Sequence, residues 1–185
     1  VDGKDEAQII YANHVAERLN GHKAYLYMDV GGGSTELTLF DRGKALASRS
    51  FRIGAIRLLK HAVAKSEWSA MKSWISDVAE LTDGLVGIGT GGNITKLFSL
   101  SGKKEGKPLS FQILKSLRRT LKSCSMGERI RRFDLRPDRA DVIVPASDIY
   151  LSIMKWGGIE KMIVPQVGLS DGLVHMLYQR RRQRA

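Results

Sequence analysis

The sequence predicts an α/β domain organised around residues 25–40, which read YLYMDVGGGSTELTLF. Residues 25–30 alternate as a strand does, three consecutive glycines follow, and residues 37–40 form a second strand pattern. A turn at residues 41–44 leads to a third strand over residues 45–51, so three consecutive antiparallel strands are expected. Helical patterns and short apolar runs then succeed one another, which indicates helices packed on a sheet.

The remaining elements follow from apolar spacing and from the residues that interrupt it. Helical patterns, with a shorter one after Gly54, cover residues 5–19, 67–81, 111–132, 146–156 and 168–177. Strands are predicted over residues 85–89 and 161–165. The helix over residues 67–81 would bury one face, made up of Trp68, Met71, Trp74, Ile75, Val78 and Leu81. Pro145 is expected to bend or restart a helix, since proline lacks an amide proton.

The composition fits a single domain. A length of 185 residues and a hydrophobic content of 43% allow a substantial core. No apolar run reaches the roughly 18 residues of a membrane-spanning helix, so no membrane insertion is expected. The single cysteine, Cys124, rules out an intrachain disulfide and is compatible with a reducing compartment. We therefore expect a cytoplasmic protein.

The formal net charge of +11 favours anionic partners. Composition alone does not choose among nucleic acid, anionic lipid, nucleotides and polyphosphate. Part of the excess lies in residues 180–185, which we expect to form a disordered basic tail. Another part lies in residues 111–132, where a solvated face is favoured over a nucleic-acid groove because no aromatic platform accompanies the cations. Nucleic acid is therefore not the expected ligand.

Two carboxylates flank the glycine loop of the first hairpin. Asp29 ends the incoming strand, and Glu36 follows Ser34 and Thr35. Consecutive glycines allow close backbone approach and positive φ angles, so that successive amides can turn toward an anion. Carboxylate oxygens suit Mg²⁺, which would accompany a phosphate group. An ordinary glycine-rich turn is the alternative. A Walker loop is excluded because no Gly-Lys-Ser/Thr follows the glycines, and a dinucleotide fingerprint is excluded because a strand follows them instead of a helix.

A second glycine loop reads GTGGN over residues 89–93, between a strand and a helical pattern. Strand, glycine loop and helix N-terminus is a layout that binds anions through free amides and the helix dipole. Two such loops at strand ends in one small domain indicate a shared phosphate site. The 4 histidines show no metal-ligand spacing and are expected to be structural or exposed.

These segments resemble those of a known family. DVGGGSTE at residues 29–36 resembles the signature of the exopolyphosphatase/guanosine pentaphosphate phosphohydrolase family. Further family segments are matched in order by GKDEA at 3–7, GAIRL at 54–58, GTGG at 89–92, RADVIVP at 139–145 and GLSDG at 168–172. The chain departs from the family at Asp5, which replaces a glutamate, and at Ser170, where an arginine is usual. The matches span nearly the whole chain, so the resemblance is specific.

The resemblance implies a ribonuclease-H-like lobe of the actin/hexokinase/Hsp70-like superfamily, that is, the actin-like ATPase fold. Such a lobe has a mixed sheet with three antiparallel strands followed by parallel ones, and helices packed on its faces. The family's active site lies in a cleft between two lobes, and only the second lobe is resembled here. We therefore expect residues 1–185 to form one lobe of a bacterial two-lobe phosphatase whose first lobe is absent, and the start at Val1 agrees. A homodimer through the exposed lobe face is a further expectation.

By the same resemblance, Glu6 is the general base that activates water against the terminal phosphorus. Asp29 and Glu36 match acidic positions implicated in Mg²⁺ binding. Arg139 matches an arginine that contacts phosphate, whereas Arg57 is a weaker match that could equally be a structural ion-pair partner. Backbone amides of both loops would hold the phosphates, namely those of Gly31, Gly32, Gly33, Ser34, Gly89, Thr90, Gly91 and Gly92.

The implied function is hydrolysis of a phosphoanhydride with Mg²⁺ as cofactor. The substrate would be the end of inorganic polyphosphate, or guanosine pentaphosphate losing its 5′ γ-phosphate. The isolated lobe is expected to turn over slowly or not at all, because half of the cleft would be missing. The alternative is a non-catalytic lobe that binds polyphosphate or a nucleotide for regulation. The residues do not choose between the two substrates.

Overall fold

The computed structural model describes residues 24–42 and 44–165, which form a six-stranded sheet with helices packed against it. The strands are β1 (Ala24–Val30), β2 (Thr35–Asp41), β3 (Lys44–Phe51), β4 (Leu85–Thr90), β5 (Leu109–Ser110) and β6 (Lys161–Ile163). The helices are α1 (Ala55–Leu59), α2 (Lys65–Glu80), α3 (Gly92–Leu100), α4 (Phe111–Ser123), α5 (Met126–Phe133), α6 (Pro137–Ala140) and α7 (Ile143–Trp156). Glu6 and the predicted helices over residues 5–19 and 168–177 lie outside the described residues.

The sheet is mixed, with the strand order β3-β2-β1-β4-β6-β5. Strands β1, β2 and β3 are antiparallel neighbours, as their short connections require. Strands β1, β4 and β6 run parallel, because helices form the crossovers between them. This arrangement confirms the predicted fold class. The edge strand β5, antiparallel to β6, adds to the predicted sheet, since two residues are too few to show an alternation.

The two faces of the sheet bury different sets of side chains, and Asp29 lies on the face with the smaller buried cluster. One face packs on the helices through a large apolar core that includes Leu26, Met28, Leu39, Ile75 and Ile149. The other face carries a smaller buried cluster made up of Tyr25, Tyr27, Phe40 and Ile88. Side chains alternate along a strand, so Asp29 shares the second face with Tyr27, closer to the carboxyl end of β1.

The basic helix predicted over residues 111–132 is in fact two helices. Cys124 has an extended backbone, with φ −96° and ψ 140°, and it separates α4 from α5. Ser125 caps α5: its hydroxyl accepts from the Glu128 amide, and the Glu128 side chain accepts from the Ser125 amide. The bond from the Ser125 amide, and then a second one from the Ser125 hydroxyl to the same carboxylate, hold the pKa of Glu128 below its usual range. The capping signature, Ser-x-x-Glu, is present in the sequence and predicts such a helix start.

Two other helix boundaries differ from those predicted. Helix α2 ends at Glu80, so Leu81, which was assigned to its buried face, is 80% exposed. Helix α7 begins at Ile143, and Pro145 lies in its first turn, where no bond to a preceding carbonyl is needed. Within the described ranges, no helix combines the length and apolar character needed to cross a membrane.

Candidate active site

Both glycine loops lie at one end of the sheet, where β1 and β4 end side by side. The two strands are parallel neighbours, and Asp29 is in register with Thr90. In the first hairpin Asp29 is directly opposite Glu36, and opposite residues of an antiparallel pair project from the same face. The structure therefore brings together the two carboxylates and both loops, as the sequence predicts.

The first glycine loop turns its carbonyl groups toward α1. The amides that begin α1, those of Ala55, Ile56 and Arg57, donate to the carbonyl oxygens of Gly31 and Gly32 at distances of 2.9, 3.0 and 3.1 Å. Helix N-terminal amides have no partner within their own helix, so the loop supplies the acceptors that α1 lacks. The loop and the helix start are thus one hydrogen-bonded unit.

Arg57 adds a side-chain bond to this unit. Its Nε atom donates to the carbonyl oxygen of Gly33 at 3.1 Å. The sequence leaves a choice between a phosphate contact and a structural ion pair for Arg57. No ion pair joins it to another residue of the described ranges, and its guanidinium instead holds the loop from the α1 side.

Holding the carbonyl groups also orients the amides of the loop. The C=O and N–H of a trans peptide unit point in opposite directions, and the described residues contain no cis peptide. The amides of Gly32, Gly33 and Ser34 belong to the three units whose carbonyls are held, so they point away from α1. They donate to no other residue in the described ranges. This is the arrangement that an anion cradle requires.

Gly31 behaves differently from the other predicted cradle residues. Its amide donates to the carbonyl oxygen of Ser34 at 3.0 Å, and it therefore closes the turn in this structure. The hydroxyl of Ser34 donates to Oε1 of Glu36 at 2.6 Å, and the hydroxyl of Ser50 donates to the same atom at 3.0 Å. The loop thus orients one carboxylate as well as its own amides.

The close contact between the loop and α1 depends on Gly54. A Cβ atom at this position would lie 2.5 Å from the carbonyl carbon of Gly33 and would also collide with the carbonyl group of Gly32. The φ angle of Gly54 is −134°, which any residue adopts, so space is the constraint. By contrast, no atom lies within 4 Å of a Cβ added at Gly33.

The second loop begins later than the sequence predicts. Gly89 and Thr90 lie inside β4, and a Cβ atom at Gly89 would meet the Sδ atom of Met162 at 2.5 Å in the core. Gly91 has a φ angle of 93°, which favours glycine, and α3 begins at Gly92. The amides of the first turn of α3 have no partner within the helix. Gly91 and Gly92 therefore occupy the positions expected of a cradle, whereas Gly89 and Thr90 belong to the strand.

Arg139 lies over the first turn of α3. Its Nη1 atom donates to Oδ1 of the buried Asn93 at 3.1 Å. Its guanidinium also packs against Gly92, where a Cβ atom would collide with it. The structure thus places a partly exposed cation beside the first turn of α3. Asn93 was not among the predicted site residues, although it follows the glycines directly in the sequence.

The two carboxylates fit a magnesium ion in kind and number. Asp29 is partly exposed and lies against Gly91, since a Cβ atom there would be 2.8 Å from Asp29 Oδ1. Glu36 is also partly exposed, directly opposite. The described residues contain no group of three or more His, Cys, Asp and Glu that could hold a metal on its own. Mg²⁺ commonly uses one or two carboxylates and completes its shell with water and substrate phosphate, so two suffice.

A model of the Ppx/GppA phosphatase family matches residues 1–180 of this chain. The chain belongs to this family. The matched range contains both glycine loops, both carboxylates and Arg139, and it also contains Glu6. The resemblance inferred from the ordered sequence segments is therefore confirmed at the level of the family.

Curated relatives of this Ppx/GppA chain are longer than the chain itself. The guanosine-5′-triphosphate,3′-diphosphate pyrophosphatase of Aeromonas hydrophila is 26% identical over an alignment of length 192, which covers 96% of this chain. The enzyme of the same description from Aeromonas salmonicida is 25% identical. In both cases the chain spans 38% of the relative's length.

Solved structures of the family share the fold. The type II variant of the Aquifex aeolicus Ppx/GppA phosphatase is 26% identical, with a TM-score of 0.71, and the match covers 92% of this chain and 62% of that one. An exopolyphosphatase from Cytophaga hutchinsonii has a TM-score of 0.70 at 22% identity, covering 96% and 64% of the two chains. The second likeness concerns the fold alone.

A buried hydrogen-bond chain lies beneath the site of this Ppx/GppA domain. The hydroxyl of Tyr150, on α7, donates to the carbonyl oxygen of Thr90 at 2.7 Å. The hydroxyl of Thr90 donates to the Tyr27 hydroxyl oxygen at 2.9 Å. The three residues are buried, and they tie α7 to the end of β4 directly before the second loop. Sequence reasoning treats Tyr150 as one more apolar residue of a long helix, because no local pattern reveals its distant partner.

Replacing Tyr150 by Phe is expected to lower the free energy of unfolding by about 1–3 kcal/mol at pH 7, because a buried carbonyl loses its donor. Burial, and then the charge of Asp29, raise the pKa of Tyr150 well above its usual range. The folded state therefore holds this proton more tightly than the unfolded state, so the stability it contributes is fully present below pH ~10, the ordinary pKa of tyrosine, and declines as the pH rises from there toward the folded-state pKa. Urea unfolding at pH 7 and above pH 10 should show the gap between wild type and variant closing. An unchanged gap would contradict this account.

Proposed function

We propose that this chain carries the catalytic groups of a Mg²⁺-dependent phosphoanhydride hydrolase. The substrate is the terminal phosphate of inorganic polyphosphate, or the 5′ γ-phosphate of guanosine pentaphosphate. The observation that carries the proposal is the meeting of two glycine loops beside Asp29, one with outward-facing amides and one opening α3. Membership of the Ppx/GppA phosphatase family supports the reaction class.

The polar groups of the site suit a chain of phosphates. The amides of Gly32, Gly33 and Ser34 can donate to one phosphate group, and the first turn of α3 can donate to a neighbouring one. Arg139, fixed beside α3 by Asn93, adds a positive charge whose planar donor geometry suits phosphate oxygens. A phosphoanhydride bond joins two anionic phosphate groups, so a site that binds it needs two separate sets of hydrogen-bond donors.

Asp29 and Glu36 are the residues that would hold Mg²⁺ in this proposal. Bound there, the ion would neutralise phosphate charge and orient the terminal group for in-line attack. The hydrogen bonds from Ser34 and Ser50 restrict Glu36 in advance, so its carboxylate needs little rearrangement. Glu6 is proposed as the base that takes a proton from the attacking water, on the resemblance alone.

The chain is proposed to work with a first lobe of the kind that completes the family's cleft. In support, it spans 38% of the length of its curated relatives. By itself it is expected to release phosphate slowly or not at all, because an open half-cleft does not exclude water. Hydrolysis by this chain alone, at a rate comparable to that of a two-lobe protein, would contradict this part of the proposal.

The deciding experiment measures phosphate release by a two-lobe protein containing this chain, with Mg²⁺, from long-chain polyphosphate and from guanosine pentaphosphate. Release from either supports the hydrolase and identifies the preferred substrate. Measurements with a phosphate monoester serve as a control, because the proposal concerns phosphoanhydrides. Absence of release from both substrates would favour a lobe that binds polyphosphate or a nucleotide for regulation.

The Mg²⁺ assignment predicts a separate result. Changing Asp29 to Asn, or Glu36 to Gln, should raise the Mg²⁺ concentration for half-maximal phosphate release by about 10-fold or more, since one of two carboxylates loses its charge. Asp41→Asn is the matched control, because Asp41 ends the same strand as Glu36 at its opposite end. The rate is titrated with Mg²⁺ for the wild type, the two site variants and the control. An equal Mg²⁺ requirement in all four proteins would show that Asp29 and Glu36 are not Mg²⁺ ligands.

A further inference from the structure

A groove of about 890 Å³ lies between α4 and α7, and it shares no residue with the glycine loops. Its apolar lining comes from four helices, through Leu58, Trp68, Phe111 and Leu151. All four side chains are half-buried, so they form a floor that remains partly open to solvent. Trp68 also makes an edge-on contact with Trp156, with ring centroids 5.8 Å apart. The floor is therefore an ordered apolar surface.

The rim of the groove is cationic. Lys115 and Arg119, one turn apart on α4, and Lys155 on α7 line it, and all three are exposed. None of them forms an ion pair with another residue of the described ranges. Arg118 differs, because it binds Asp148 through two hydrogen bonds of 2.6 and 3.2 Å and so neutralises the acid in the groove. Three positive charges around an apolar floor are left without a counter-charge.

The groove is elongated along the helices. A second cavity of about 420 Å³ shares Phe111, Gln112 and Lys155 with the first and continues to Lys161. From Phe111 to Arg119 the groove follows α4 for roughly 12 Å, at 1.5 Å per residue. That length accommodates about two turns of a second helix, enough for apolar anchors at positions i, i+3 or i+4, and i+7.

We propose that this groove binds an acidic amphipathic helix of a partner protein. The apolar side chains of that helix would pack on Leu58, Trp68, Phe111 and Leu151, and its carboxylates would face Lys115, Arg119 and Lys155. Such binding is separate from phosphate hydrolysis, because the groove contains none of the site residues. It would attach an acidic partner to the helical face of the domain and leave the cleft end of the sheet open.

The same features disfavour nucleic acid in the groove. A nucleic acid needs a continuous track of cations and exposed aromatic faces for its bases. Here the two aromatic side chains, Trp68 and Phe111, are half-buried in the floor, and the rim carries separated cations in place of a continuous track. An apolar floor with separated rim cations instead matches the alternation of apolar and acidic residues on one side of a helix.

The test uses this chain and a fluorescein-labelled 14-residue peptide. The peptide carries Leu at i, i+3, i+4 and i+7 and Glu at the flanking positions, and a control peptide has the same composition in an order that breaks the apolar stripe. Fluorescence anisotropy should show at least about 10-fold tighter binding of the ordered peptide, because only it can place anchors and charges together. Equal binding of both peptides, or no binding of either, overturns the proposal.

Two charge-reversal variants locate the binding. Lys115→Glu with Arg119→Glu should weaken binding of the ordered peptide by about 10-fold or more. Lys104→Glu with Lys122→Glu changes the net charge equally outside the groove and should have a much smaller effect. An equal loss in both variants would indicate general electrostatic attraction and overturn the proposal. Circular dichroism confirms that each variant is folded, and Leu151→Ala, which keeps every charge, should also weaken binding.

A competition experiment distinguishes the other anions. Polyphosphate or guanosine nucleotides should not displace the peptide at concentrations that saturate the proposed active site. Displacement by either, abolished in the Lys115→Glu and Arg119→Glu variant, would assign the groove to a phosphate ligand and overturn the peptide proposal. The outcome is independent of phosphate hydrolysis, so it does not depend on the proposed function.

Discussion

Replacing Glu6 by Gln in a two-lobe protein is expected to lower the rate of phosphate release by about 100- to 10,000-fold, the usual contribution of a general base. Glutamine keeps the shape of glutamate but cannot accept the proton of the attacking water. The loss should appear in kcat, while KM and the affinity for substrate stay nearly unchanged, because the loops and cations proposed to hold the phosphates are untouched.

The experiment compares steady-state rates with equilibrium binding of the same substrate. Asp5→Asn is the matched control, since it removes the adjacent carboxylate from the same segment and should retain most of the activity. A Glu6→Gln variant that lost binding and kept its rate per bound substrate would assign Glu6 to ligand recognition. It would favour the regulatory alternative over the hydrolase.

Replacing Gly54 by Ala is expected to have the largest effect on the loop itself. The added methyl group would lie 2.5 Å from the carbonyl carbon of Gly33, and a backbone atom held by hydrogen bonds cannot move aside as a flexible side chain can. We expect a loss of about 1–3 kcal/mol in the free energy of unfolding, which is typical of overpacking. Binding of pyrophosphate should weaken as well, because the loop and its amides would be displaced.

Urea unfolding of the chain measures the first effect through the transition midpoint, provided that the m-value is unchanged. Gly33→Ala is the control, since it adds the same methyl group where no atom lies within 4 Å. Its effect on stability should be small, although it lies in the same loop. Equal stability of the two variants would show that the contact between Gly54 and the loop is not the constraint inferred here.

The sequence predicts the central part of the fold well because its patterns are local. Alternation in β1 and the glycines that follow it indicate a hairpin, and helical spacing indicates α2 and α7. The errors occur where local signals compete. Residues 111–132 are continuously helical in propensity, yet the capping box at Ser125 and the extended backbone of Cys124 divide them. Such a division depends on a few hydrogen bonds at one position.

The site is predictable in composition but not in geometry. The sequence indicates that Asp29 and Glu36 flank a loop, and the register of the hairpin then makes them face each other. It gives no sign that Arg57 holds the Gly33 carbonyl or that Tyr150 holds the Thr90 carbonyl, since these partners are far apart in the chain. Interactions between distant residues require the fold to be known first.

The hydrogen bonds from α1 to the first glycine loop also affect how strongly the amides of that loop can donate hydrogen bonds. A peptide carbonyl that accepts a hydrogen bond withdraws electron density from its own nitrogen, which makes the attached N–H more acidic and a better donor, by about 10–30% per bond. The carbonyls of Gly31 and Gly32 accept from α1 amides, and that of Gly33 accepts from a cationic guanidinium. The amides of Gly32, Gly33 and Ser34 are therefore each polarised by the hydrogen bond that the carbonyl of the same peptide unit accepts. Substitutions in α1 should therefore tune the anion affinity of the loop.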